Sequence, residues 1–114
     1  MGSGTPMPVV VSMKPLSLQI IRQLVSGKPL SSIPDVDIKS VSTDTRMLEP
    51  GALFIAIKAE RDGTTFLPDA AAKGAIAALV EEEPAVKLPN VHLIQVPSTR
   101  AALAKLVAVT NGRG

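Results

Sequence analysis

The stretch V41-S-T-D-T-R-M-L-E-P50-G-A-L-F-I-A-I-K-A-E60-R-D-G-T-T-F-L-P-D-A70-A-A-K-G-A75 decides the fold. The polar Thr43-Asp44-Thr45-Arg46 segment closes one strand-like run. Pro50-Gly51 makes a turn. Ala52 to Ile57 is a continuous apolar run of strand length, the mark of a strand buried on both faces. Asp62-Gly63 breaks it, and Thr64 or Thr65 can cap a helix that tolerates Pro68 in its first turn and stops at Gly74.

Working outward, the same alternation repeats. Upstream, Ser17 can cap a helix carrying Ile20, Ile21, Leu24 and Val25 on one face, with Gly27 ending it. Lys28 to Pro34 reads as loop, and Val36, Ile38 and Val41 suggest a first strand. Downstream, Ile76 to Val80 and Val91 to Val96 are two more short buried strands. Ser98 caps a last helix with Leu103, Leu106 and Val107 on its apolar side, ended by Asn111-Gly112. Helices alternating with buried strands predict an α/β fold. The expected form is a small three-layer sandwich with a mostly parallel or mixed sheet of about four strands and about three helices. The opening Met1-Gly2-Ser3-Gly4 reads as a tag, and residues 1–14 as tag and flexible tail before one domain over 15–114.

The chain has 114 residues, 46% of them apolar, so one core is affordable and two are not. Phe54 and Phe66 are the only aromatics, so the core must be aliphatic. The lack of Trp and Tyr leaves little to stack bases on, and the net charge of +2 is small and scattered. No nucleic-acid partner is therefore expected. With no cysteine there are no disulfides or thiolate metal sites, which fits a reducing cytoplasm. No apolar run approaches the ~20 residues of a membrane span, so no membrane partner is expected either.

Three groups of polar residues bear on function. In Thr43-Asp44-Thr45-Arg46, two hydroxyls, a carboxylate and a guanidinium can hydrogen-bond a polar ring and offer positive charge to a phosphate. They can equally form a structural turn in which Asp44 accepts backbone N–H bonds and pairs with Arg46. Ala59, Glu60 and Arg61 lie in a loop after a buried strand, where ligand crevices form, or in a solvated charged turn. His92 has no second ligand at metal-binding spacing and reads as an exposed strand histidine. Glu81-Glu82-Glu83 reads as a solvated run. No catalytic residue and no metal ligand is assigned.

The order of these signals resembles the first domain of the MurE and MurF peptidoglycan ligases, which read D-S/T-R, P-G, L-F-x-A, D-G-x-x-F and G-A. Asp44-Thr45-Arg46, Pro50-Gly51, Leu53-Phe54, Asp62-Gly63, Phe66 and Gly74-Ala75 fall in that order. Val96-Pro97-Ser98-Thr99-Arg100-Ala101-Ala102-Leu103 is similar to the V-P-D-x-R-x-A-L run of MurE, which favours MurE over MurF. The resemblance implies a domain that binds the uridine diphosphate end of UDP-N-acetylmuramoyl-peptide through Thr43, Thr45, Arg46, Ala59, Glu60 and Arg61. The family usually has a glycine near Ala59 and one more residue before Asp-Gly. The resemblance also implies a cytoplasmic bacterial parent enzyme in cell-wall biogenesis and cell shape, an ATP-dependent amide-forming ligase. Its ATP and magnesium would sit in a downstream ATPase domain, leaving this chain without a cofactor and inactive alone. Val109 to Gly114 faintly echoes a phosphate loop but lacks the first glycine, the lysine and the final hydroxyl. The alternative is a non-catalytic protein-interaction module of the same fold that has lost UDP binding.

Overall fold

Period-two alternation sorts the apolar residues of the central strands onto two faces, and each face needs a cover. The computed structural model describes residues 10–30, 32–45, 48–57, 67–82 and 90–111. In chain order the elements are β1 (Val10–Ser17), α1 (Leu18–Leu24), β2 (Lys28–Pro29), β3 (Asp37–Ser42) and β4 (Leu53–Ile55). Then come α2 (Leu67–Ala72), β5 (Ala77–Val80), β6 (His92–Gln95) and α3 (Thr99–Asn111). One six-stranded sheet has the order β1-β3-β4-β5-β6-β2. Strands β3 to β6 are parallel, and β1 and β2 add antiparallel edges.

Leu53, Ile55, Ala77, Leu79 and Ile94 face one side, where Leu18 and Ile21 of α1 and Ala102 and Leu106 of α3 cover them. Ala52, Phe54, Ala56, Ala78 and Val80 face the other, under Leu67 and Ala70 of α2. The sheet is thus the middle of three layers, as the sequence predicts. Phe54 is 1% exposed and sits opposite Ala78 in the β4–β5 register, so the largest side chain fills the space beside a small one. Phe66, and the caps expected of Thr64 and Thr65, lie outside the described residues.

Among the described residues, six strands stand where about four were expected. Residues 10–14, expected within the tail, lie in β1, which pairs with β3. Residues 13–15 of β1 stand opposite Lys39 alone, because Ser12 pairs with Ser40 and Leu16 with Ile38. Pro15 falls inside that bulge on an edge strand, where a missing N–H breaks no ladder. The second extra strand, β2, lies in the stretch read as loop and pairs Lys28 and Pro29 with Gln95 and Ile94.

Helix α1 starts as expected, with the Ser17 hydroxyl accepting the Gln19 N–H at 3.2 Å. Its buried face is Leu18, Ile21 and Val25, whereas Ile20 is 46% exposed. Its end differs in detail. The Gly27 N–H donates to the Arg22 carbonyl and the Ser26 N–H to the Gln23 carbonyl, a Schellman close. The left-handed position is Ser26, with φ of 56°. Gly27 is required for a different reason: a Cβ there would clash with the Ile94 side chain. Helix α2 closes by the same pair of bonds, Ala75 N–H to Ala70 and Gly74 N–H to Ala71, with Gly74 at φ of 97°.

Helix α3 is capped twice. The Ser98 hydroxyl accepts the Ala101 N–H at 3.2 Å. The Glu81 carboxylate, from the end of β5, accepts both the Thr99 N–H at 2.8 Å and the Thr99 hydroxyl at 3.0 Å. Gln95 donates its side-chain amide to the Glu81 carbonyl at 3.1 Å. The first residue of the acidic run is therefore a structural partner of a fully buried threonine and not merely a solvated charge.

Urea unfolding of single variants tests this packing. Ser26→Gly should stabilise the chain by about 1 kcal/mol by relieving the left-handed serine, while Gly27→Ala destabilises it by a clash with Ile94. Phe54→Ala should cost about 3–5 kcal/mol; a loss under ~1 kcal/mol would show that β4 is not the centre of the core. Glu81→Ala should cost about 1–3 kcal/mol by orphaning two donors of Thr99, and Glu81→Gln less, because it keeps an acceptor.

Candidate functional site

Because β3 to β6 run parallel, their chain exits share one edge of the sheet, the edge where open α/β sheets bind ligands. At that edge β3 delivers Thr43, Asp44 and Thr45, β4 delivers Ala56 and Ile57, β5 delivers Glu81 and Glu82, and β6 delivers Val96 and Pro97.

The turn after β3 brings two of the expected site residues together. Thr43 is half-buried, and Thr45 is 8% exposed. The Thr45 carbonyl accepts the Leu48 N–H at 3.3 Å, and Leu48 packs into the α2-side core. The backbone of Asp44 is held by Ser42, whose hydroxyl accepts its N–H at 3.0 Å and donates to its carbonyl at 2.8 Å. Ser42 was not singled out by sequence reading. Its only local signal is a serine two residues before an aspartate at a strand end. Arg46, Ala59, Glu60 and Arg61, the remaining expected site residues, lie outside the described residues.

A hollow of about 280 Å³ lies farther along the same exit edge, at the β5–β6–β2 end, formed by Ser26, Lys28, Glu81, Gln95, Val96 and Pro97. It does not include the Thr43–Thr45 turn, and its two charged side chains are of opposite sign. His92, expected as an exposed strand histidine, is half-buried, and its Nδ1 lies 3.0 Å from the Ser32 carbonyl, which makes Nδ1 the donor. Among the described residues, no group of three or more His, Cys, Asp or Glu side chains is placed to hold a metal ion. No helix among them is long and apolar enough to cross a membrane.

Residues 37–110 match the family model described as "Mur ligase family, catalytic domain". The chain is 36% identical over 84 residues to the UDP-N-acetylmuramoyl-L-alanyl-D-glutamate–2,6-diaminopimelate ligase of Gloeobacter violaceus, covering 73% of this chain and 17% of that protein. It is 43% identical over 75 residues to the UDP-N-acetylmuramoyl-tripeptide–D-alanyl-D-alanine ligase of Escherichia coli, covering 65% of this chain and 16% of that protein. In three dimensions it is similar to the crystal structure of MurF from Acinetobacter baumannii, with a TM-score of 0.75 and 31% identity. That similarity covers 86% of this chain and 21% of MurF, so the chain spans about a fifth of the length of the proteins it matches. With a family model matching most of its sequence and MurF sharing its three layers, the chain belongs to the Mur ligase family.

Proposed function

We propose that this chain recognises the uridine diphosphate end of UDP-N-acetylmuramoyl-peptide for a ligase of peptidoglycan-precursor synthesis. One observation carries the reading. Relatives with two different activities each match about two thirds or more of this chain, and their names share the UDP-N-acetylmuramoyl start while differing in the group added, 2,6-diaminopimelate or D-alanyl-D-alanine. A segment common to both serves what their substrates have in common.

The geometry supports the same assignment. Uracil presents one N–H donor and two carbonyl acceptors, a pattern that hydroxyls and amides at a strand exit can meet. The Thr43–Thr45 turn offers such groups at the edge where parallel sheets hold nucleotides. Arg46 and the Ala59–Arg61 loop belong to the same proposal. The Val96–Leu103 run supports a parent of MurE type, with MurF type next. ATP and magnesium would serve the remainder of such a parent, in the bacterial cytoplasm, and this chain would contribute binding and no bond-making step.

The test is an amide chemical-shift titration of the 114-residue chain. UDP should move resonances of Thr43 to Thr45 more than ADP does, with a weak affinity of about millimolar, since one domain holds only part of the substrate. Thr43→Ala should weaken UDP binding by roughly twofold to tenfold, the worth of one hydrogen bond. If UDP at several millimolar shifts nothing in this turn, or ADP shifts it equally, the recognition reading fails and a protein-interaction module takes its place.

A further inference from the structure

Ser42 ends β3 with its side chain fully withdrawn from solvent. Its hydroxyl satisfies both backbone groups of Asp44, the middle residue of the Thr43–Thr45 turn. On the strand side, Ser42 stands opposite Phe54 in the β3–β4 register, against a core residue that cannot easily move. On the far side, the Leu48 N–H ties the Thr45 carbonyl to the same core. The turn is thus held at both ends by buried groups.

We propose that Ser42 is a positioning residue, whose buried hydroxyl preforms the turn that meets the uridine end of the substrate. The inference rests on the uridine-recognition reading above. Ser42 itself is too buried to touch a ligand, so it acts through Asp44 and its threonine neighbours. A turn already shaped before binding spares the ligand the entropy of ordering it, and that saving appears as affinity.

Two measurements test this. In the free protein, the Asp44 amide should be protected from hydrogen exchange, and UDP should leave that protection unchanged. An Asp44 amide that exchanges freely until UDP is added would show that the ligand shapes the turn, which overturns the proposal. In Ser42→Ala, checked as folded by unchanged β4 and β5 amide shifts, Asp44 should lose protection and UDP should bind about three- to tenfold more weakly. Ser42→Thr, which keeps the hydroxyl, should restore both. Undiminished UDP binding by a folded Ser42→Ala overturns the proposal, and if that variant does not fold, the wild-type exchange comparison decides. If the wild type binds no UDP, the recognition reading fails and the positioning role falls with it. If the wild type binds and only Ser42→Ala contradicts, the positioning role alone falls.

Discussion

Parallel strands buried on both faces are the constraint from which the rest follows. Leu53, Phe54 and Ile55 are all buried, as are all four residues of β5, so neither side of the sheet centre can be left to water. Helices must lie on both sides, which makes three layers. Connections that return to start each parallel strand also bring every strand exit to one edge. The place where a ligand can be met is therefore fixed by burial in the sheet before any site residue is chosen.

That edge must be held without large side chains, because the chain has only two aromatics. Backbone bonds and small polar groups do the holding. Two helices end in the same pair of closing bonds, one with a glycine in the left-handed position and one with a serine. In α1 the glycine has moved one residue on, because the close approach of Ile94 needs the missing Cβ more than the turn does. Glu81 joins the exit of β5 to the start of α3 across 18 residues of sequence. The Glu81 tie and the close of α1, beside Ile94 and Val96, sit next to the exit edge, whereas α2 closes beside Pro50 at the opposite edge, where β4 starts.

What the sequence shows and what it hides divide along a physical line. Strands β3 to β6 and all three helices are legible because their periodicity records burial, and burial is what the core enforces. The edge strands β1 and β2 are not legible, because an edge is defined by its partner and both carry prolines that locally read as breaks. The face of α1 departs from the expected one at Ile20 because adjacent apolar residues compete, and only the packed neighbours choose Leu18, Ile21 and Val25. At the candidate site, Thr43 and Thr45 were legible as strand-exit hydroxyls. Ser42 was not, because a buried serine that bonds two residues ahead resembles any other small strand residue. Glu81 was hidden for the opposite reason: its partner is far along the chain, and a charge beside two like charges looks solvated.

The same line bears on how one segment can serve ligases that add different groups. The sheet edge depends on burial, on helix ends and on buried hydroxyl or carboxylate ties, none of which refers to the acceptor amino acid. Relatives of both activities keep a third or more identity over this segment while it makes up less than a fifth of each. The discrimination between acceptors therefore has no structural reason to lie in these strands. Under the recognition proposed above, a part that meets only the common start of a substrate can be held rigid, and rigidity at that end lets weak contacts add to those made elsewhere on a longer ligand.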